Sequence, residues 1–387
     1  MLGAAMFSRF LQPLRRARVW FFVLAGVMCL GSNRVAGRTD RSLAANASAE
    51  PAPAIYLAPE NPAELLRMSP EMRRFFDERL TARPPSTTAL QEIVAAIVRP
   101  EGLGFAYDGI GTYDAGETFR RRRGNCLSFA LLVTAVARAY GFKTSFQEIA
   151  LPERWDRVGD VITSVQHVNV RVETGNGPYV VDMRPDLVST TGRRAATTIA
   201  DERVAACFYS DVGFVHLVQG RTAEARQAMV LATQVDPQCA SVWGNRATLH
   251  SRLGELASAR SCYERSLKLD HHGVNVLVGF VSVLERLGTP EDRRVARELE
   301  SRAQQLRERN PYYHQNLAQV AGEKSDWAAA EKQLRRAIAL KDDEPEFYEQ
   351  WIASLRRLGR DDAVKRASAR LEKLRVRLQS QSAQLVP

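Results

Sequence analysis

The stretch Gly124-Asn125-Cys126-Leu127-Ser128-Phe129-Ala130 places a cysteine where a polar segment gives way to a long apolar run. Residues 127–140 are apolar on nearly every side of a helical projection, which predicts a buried helix that ends at Gly141. Cys126 then falls in the first turn, where backbone N–H groups and the helix dipole favour an anion. The thiolate is the reactive form of cysteine, so this position favours a nucleophile; simple packing of a small residue is the alternative.

Two later segments carry the residues that a cysteine nucleophile needs as partners. Apolar and polar residues alternate over 167–172, which predicts a strand that begins near His167. Residues 175–178 predict a turn into a return strand that carries Asp182. The order cysteine, histidine, aspartate is that of a nucleophile, its base and the group that orients the base. The hairpin register must place His167 and Asp182 on one face, because a slip of one residue would separate them.

The segments around these three residues resemble the transglutaminase-like superfamily. The resemblance covers roughly residues 86–194 and implies a papain-like α+β fold with acyl-transfer or hydrolase chemistry at a thiol. Its motifs are the run Glu117 to Gly124, Cys126 with Phe129-Ala130-Leu131-Leu132, Ala139-Tyr140-Gly141-Phe142-Lys143, His167-Val168-Asn169-Val170 and Val180-Val181-Asp182.

This resemblance implies a role for each member of a catalytic triad. Cys126 attacks a carbonyl carbon, His167 forms an ion pair with the thiol and carries the proton, and Asp182 sets the histidine tautomer. The backbone N–H of Cys126 is one oxyanion donor, and Tyr107 and Gln166 are candidates for the second. His167 is the first histidine in the chain, so no other histidine competes for the role of base in this region.

Four consecutive arginines, Arg120 to Arg123, come just before the cysteine motif. A run of charges of this kind is typical of a solvated helix face. The alternative is that one of them lies near the thiol, where a cation would favour the thiolate or receive an acidic group of the substrate.

The second half of the chain repeats itself every 34 residues. Gly220, Gly254 and Gly288 follow this spacing, as do Asp236 and Asp270. A period of 34 is the signature of tetratricopeptide repeats, which are pairs of helices that stack into an all-α solenoid. We expect four to five repeats over residues 201–387, with a concave face that binds a protein or peptide. His216 and His250 are also 34 apart, which favours packing roles over ligand roles.

The N-terminal segment has the pattern of an export signal. Arg15, Arg16 and Arg18 precede an apolar run over residues 19–31, which is short for a membrane span. We therefore expect a signal peptide or N-terminal membrane anchor over residues 1–37, and an exported protein that is periplasmic or anchored to the inner membrane facing the periplasm. Lipid attachment at Cys29 is a further alternative. A linker and short helix follow over 38–85, then a transglutaminase-like domain over 86–200 and the repeats.

Charge and cysteine content exclude some classes of function. The net charge is +10, and residues 1–42 carry +6 of it, because they hold seven arginines and one aspartate. The remaining charge is spread out, so we expect no nucleic-acid partner. None of the five cysteines forms a CxxC pair, so we expect no metal and no cofactor. Cys207, Cys239 and Cys262 fit the role of small core residues, although an exported chain could form one disulfide.

These observations lead to two hypotheses from different classes. The first is a thiol-dependent acyl-transfer enzyme that hydrolyses a peptide or amide bond through Cys126, His167 and Asp182, with the repeats as a protein-binding arm. The second is a non-enzymatic tetratricopeptide scaffold whose transglutaminase-like domain is inactive. The resemblance leaves open whether water or an amine resolves the acyl-enzyme.

Overall fold

The computed structural model describes residues 56–149, 167–183, 196–270 and 274–385, together with four short strands outside those ranges. These strands are β1 (Leu11–Pro13), β2 (Gly26–Met28), β6 (Trp155–Val158) and β7 (Val161–Ser164). The rest of the predicted leader, including Cys29, lies outside the described residues, as do Gln166 and residues 38–55 of the predicted linker. Among the described residues, no helix has both the length and the apolar character needed to cross a membrane.

An antiparallel sheet and a buried helix form the centre of the first part of the chain. The helices are α1 (Pro70–Asp77), α2 (Thr87–Val98), α3 (Ala115–Arg121) and α4 (Cys126–Ala139), and the other strands are β3 (Ala106–Tyr107), β4 (Arg123–Gly124), β5 (Lys143–Ile149), β8 (His167–Thr174), β9 (Gly177–Val181) and β10 (Ala196–Ile199). The large sheet has the order β1-β9-β8-β5-β10, and α4 packs against β5 and β8. The predictions of α4 and of the β8–β9 hairpin are confirmed.

Helix α4 is buried along its length because its residues are apolar on every side. Phe129, Leu132 and Val136 pack in one core with Val170 of the facing strand. Burial of a large apolar side chain stabilises the fold by about 1.5–3 kcal/mol. Gly141 follows the helix with φ of 83°, a left-handed conformation that favours glycine and ends the helix where it was predicted to end.

One sequence-based prediction in this part is wrong. The polar composition of residues 152–160 predicts a loop near the site, but β6 and β7 pair as an antiparallel hairpin in which Arg157 lies opposite Ile162. The strands hold Trp155, Val158, Val161 and Ile162, which favour extended structure, and Gly159-Asp160 between them is a dipeptide typical of two-residue turns. Both strands are only four residues long, so the alternation that reveals longer strands is missing.

The second part of the chain consists of helix pairs. The first helices of the pairs are α5 (Asp201–Val218), α7 (Ala240–Arg252), α9 (Val274–Leu287), α11 (Pro311–Glu323) and α13 (Pro345–Arg357), and the second helices are α6 (Thr222–Val235), α8 (Leu256–Leu269), α10 (Pro290–Glu308), α12 (Trp327–Leu340) and α14 (Asp361–Leu385). Gly220 and Gly254 have φ of 75° and 77° and turn the chain between the helices of their pairs. The all-helical solenoid predicted for this region is confirmed.

The two parts of the chain share a hydrophobic core. Phe208 and Tyr209 of α5 belong to the same buried cluster as Phe129 of α4. Arg138 at the end of α4 forms an ion pair with Asp201 at the start of α5. The repeat region is therefore packed directly against the helix that begins at Cys126.

Candidate functional site

His167 and Asp182 are joined by a hydrogen bond. The distance between Nε2 of His167 and Oδ2 of Asp182 is 3.0 Å, and the two residues are 0% and 4% exposed. Val170 of β8 lies opposite Val181 of β9. Continuing this antiparallel register places Asp182 opposite Asn169, two residues from His167 on the same face. The shared face predicted from the sequence is therefore confirmed.

This contact assigns different roles to the two ring nitrogens of His167. The Asp182 carboxylate accepts a hydrogen bond from Nε2–H, so the neutral ring carries its proton on Nε2. Nδ1 then holds the lone pair that a general base uses. The carboxylate would also stabilise the imidazolium that forms when Nδ1 takes a proton.

Cys126 is the first residue of α4 and follows a hydrogen-bonded N-cap. The side chain of Asn125 accepts a hydrogen bond from the Ser128 backbone N–H at 3.0 Å and donates one to the Thr112 hydroxyl at 2.6 Å. The Asn125 backbone N–H donates to the Gly111 carbonyl at 2.7 Å, and Tyr113 N–H donates to the Ser128 hydroxyl at 2.9 Å. The loop at 111–113 thus fixes the start of the cysteine helix.

The structure places Cys126 on the helix that packs against the histidine strand. Cys126 is 2% exposed and belongs to the same buried cluster as Val168, the residue after His167. The candidate oxyanion donor Tyr107 lies in β3, opposite Gly124 of β4. Asn169 is buried beside the histidine–aspartate pair and was not among the predicted site residues. Its place in the alternating pattern, on the same side as His167, is the signal that could have identified it.

The four arginines before the cysteine are engaged with carboxylates or lie at the surface. Arg120 and Arg121 both form ion pairs with Glu117, and Arg123 forms one with Asp108 at 3.0 Å. The Arg121 guanidinium also lies 4.7 Å from the centre of the Tyr113 ring. These contacts favour the interpretation of the four arginines as a solvated surface over the alternative that one of them activates the thiol.

The cysteines of the repeat region are buried and free of disulfides. Cys207, Cys239 and Cys262 all lie in the helical core, as predicted. A hydrogen bond from the Cys207 thiol, with help from the Arg203 cation, lowers the pKa of Cys239 to about 7, and the same thiol pair together with burial raises the pKa of Cys207. Within the described ranges, no group of three or more His, Cys, Asp or Glu side chains could hold a metal ion.

Comparison with protein families identifies one repeat directly. Residues 240–271, which cover α7 and α8, match the family described as tetratricopeptide repeat. The chain therefore contains a tetratricopeptide repeat at the position that the 34-residue period predicted. Comparison with curated proteins gives no match.

Several solved structures are similar to part of the chain. The Cut9–Hcn1 hetero-tetramer of APC/C is 22% identical with a TM-score of 0.28, and the match covers 44% of this chain and 33% of that chain. YrrB, described as a TPR protein with an unusual peptide-binding site, is 12% identical with a TM-score of 0.26, over 44% of this chain and 86% of that chain. The protein pilF of Pseudomonas aeruginosa is 19% identical with a TM-score of 0.31, over 45% of this chain and 76% of that chain.

Proposed function

We propose that this protein is a scaffold that binds a protein or peptide partner through its tetratricopeptide repeats. The observation that carries this proposal is the repeat match at residues 240–271, within the series of helix pairs that the structure describes from α5 to α14. Each repeat of a solenoid contacts its neighbours, and the stack offers an extended concave surface that recognises other chains.

The helices that would form this surface lie side by side. Helix α7 contacts both α5 and α9. Asn245 of α7 donates a hydrogen bond from its side chain to the Ser210 hydroxyl of α5 at 2.8 Å, and both residues are buried. This contact fixes the spacing of two neighbouring first helices, so a partner would meet a preformed surface with little ordering cost.

A displayed-peptide selection against the full-length protein tests this proposal. We expect enrichment of a sequence-related set of peptides, and we expect hydrogen exchange to slow in α5, α7 and α9 when such a peptide binds. A scrambled version of the best peptide is the control. Enrichment no greater than that of scrambled peptides, or protection confined to residues 87–149 and 167–183, would contradict partner binding by the repeats.

A second function, thiol-dependent acyl transfer, is favoured by the buried hydrogen bond between His167 and Asp182. In this proposal the first part of the chain is a papain-like, transglutaminase-like domain. Nδ1 of His167 takes the proton of the Cys126 thiol, and the thiolate attacks a carbonyl carbon of a peptide or amide. The Cys126 backbone N–H, at the first position of α4, donates to the oxyanion.

The remaining steps complete a balanced acyl transfer. The imidazolium gives its proton to the leaving amine, the carbon–nitrogen bond breaks, and a thioester on Cys126 remains. Water, activated by the same imidazole, would release the acid, whereas an amine in its place would form a new amide. We propose hydrolysis in an exported protein, with the basic and apolar leader as signal or anchor.

An activated ester tests this second function without knowledge of the substrate. Incubation with 4-nitrophenyl acetate should release a burst of nitrophenol equal to the enzyme concentration and leave one acetyl group on Cys126 in mass spectra. Cys126→Ser is the matched control and should show no burst. A slow release without a burst, or acetylation of other residues alone, would leave the scaffold as the sole function.

A further inference from the structure

At one position, the first two repeats share the same backbone geometry but carry side chains of opposite charge. His216 and His250 are 34 residues apart. The backbone N–H of Arg221 donates to the His216 carbonyl at 2.8 Å, and that of Glu255 donates to the His250 carbonyl at 2.9 Å. The residue five positions after the histidine is therefore placed alike in both repeats, yet it is a cation in the first and a carboxylate in the second.

In the second repeat, the chain supplies a carboxylate to its own histidine. Oε2 of Glu255 lies 2.6 Å from Nδ1 of His250 and 2.9 Å from Nη1 of Arg226. The hydrogen bonds from Arg226 and then His250 lower the pKa of Glu255 to about 2. This carboxylate is thus ionised and held between one imidazole and one guanidinium.

In the first repeat, the histidine has no such carboxylate. His216 is 5% exposed, and its Nδ1 has no hydrogen-bond partner within the described residues. Its pKa is lowered by burial and then by the neighbouring Arg221 cation, and the carboxylate of Glu224, which is not hydrogen-bonded to the ring, opposes this only in part. Arg221 itself forms no ion pair with any carboxylate in the part of the chain that the structure describes. A buried polar atom of this kind is costly unless a hydrogen-bond partner, either a ligand group or a water, satisfies it.

His216 and Arg221 line a small cavity between α5 and the loop at 111–113. The cavity has a volume of about 70 Å³ and is also lined by Arg121 and by the apolar side chains of Val212 and Val215. Since one water takes about 30 Å³ of liquid, this space admits a group of carboxylate size. Glu117 is shared between Arg120 and Arg121, so these three side chains carry one excess positive charge at the edge of the cavity.

We propose that this cavity binds the carboxylate group of a ligand, in the place that Glu255 takes in the second repeat. The imidazole of His216 and the guanidinium of Arg221 are the recognising groups, and the ligand is a small organic acid or the C-terminal carboxylate of a peptide. The site does not depend on the chemistry of Cys126.

Titration calorimetry on the full-length protein tests this site. The probes are sodium acetate, the peptide acetyl-Ala-Ala-Ala with a free carboxylate, the same peptide as its C-terminal amide, and inorganic phosphate. We expect saturable binding of carboxylates and an amide at least about tenfold weaker than the acid, because it loses a charge-assisted hydrogen bond. A peptide acid that binds more tightly than acetate assigns the site to a peptide terminus, and equal binding assigns it to small acids. Amide or phosphate binding as tight as that of the carboxylates would overturn the proposal.

Two variants of Arg221 make the test specific. Arg221→Glu should recreate the internal histidine–carboxylate pair of the second repeat, which is compatible with the fold, and should abolish binding. Arg221→Gln removes the cation without adding a carboxylate and should weaken binding about tenfold. Lys365→Glu makes the same charge change at a side chain that is 80% exposed and should leave binding unchanged. Wild-type affinity in either Arg221 variant would overturn the proposal, and unchanged binding in Cys126→Ser separates this site from the thiol chemistry.

Discussion

The imidazole of His167 donates a hydrogen bond from Nε2 to Oδ2 of Asp182 across 3.0 Å, and both side chains are buried. The two residues come from adjacent strands, so the contact depends on the register of the β8–β9 hairpin. In a buried setting such a hydrogen bond is stronger than in water, and loss of one partner leaves the other unsatisfied. The pair therefore links the stability of this hairpin to the state of the histidine.

Removal of the carboxylate should destabilise the fold measurably. We expect Asp182→Ala to lower the free energy of unfolding by about 1–3 kcal/mol, because the buried imidazole loses its acceptor. Urea denaturation with an unchanged slope measures this. Glu173→Ala is the matched control on β8, since the half-exposed pair of Arg171 and Glu173 should contribute about 0–1 kcal/mol. A loss for Asp182→Ala no larger than that for Glu173→Ala would argue against a tight buried pair.

The carboxylate of Glu255 should titrate far below its ordinary range. Its pKa is lowered from 4.5 to about 2, first by Arg226 and then by His250. A lowered pKa in the folded state stabilises the protein above pH 4.5, and this contribution is lost as the pH falls through about 2. In Arg226→Gln, the carboxyl chemical shifts of Glu255 should show that its pKa rises toward the ordinary value. Arg260→Gln removes a partner of Glu264 instead, so the lowered pKa of Glu255 should be unchanged in this variant.

Gly124 should not accept a side chain. A Cβ atom there would lie 2.6 Å from Cβ and 2.8 Å from Oγ of Ser128, closer than two non-bonded atoms allow. We expect Gly124→Ala to cost about 1–3 kcal/mol of unfolding free energy, because the loop must move away from the start of α4. Gly109→Ala is the control, since its added Cβ would lie 3.7 Å from the Tyr107 ring. Equal melting temperatures for the two variants would be inconsistent with the close approach described here.

Regular patterns in the sequence account for the elements that were predicted well. The apolar run after Cys126 is compatible only with a buried helix, and the strict alternation after His167 only with a strand. The bounds of α4 and β8 therefore match the predicted ones closely. The 34-residue period likewise locates the helix pairs. The hairpin of β6 and β7 was missed because two strands of four residues contain too little alternation to outweigh their polar composition.

Contacts between distant residues could not be predicted in the same way. Asn125 caps α4, which its residue type suggests, but its bond to Thr112 depends on a loop that returns from thirteen residues earlier. The difference between His216 and His250 follows a pattern visible in the sequence, since Arg221 and Glu255 are also 34 apart. Its consequence depends on the cavity beside α5, and a cavity has no signature in a linear pattern.

The pH dependence of Cys126 alkylation tests most directly whether the buried pair serves the thiol. Iodoacetamide labelling should be followed for each cysteine by peptide mass spectrometry, because the pKa of Cys239 is also lowered, to about 7. We predict that Cys126 is labelled with a midpoint well below the ordinary thiol value of about 8.5, and that His167→Ala removes this low-pH reactivity while the fold persists by circular dichroism. Labelling of Cys126 at the rate of a free thiol, with no response to His167→Ala, would contradict the catalytic role of the pair and leave a binding scaffold.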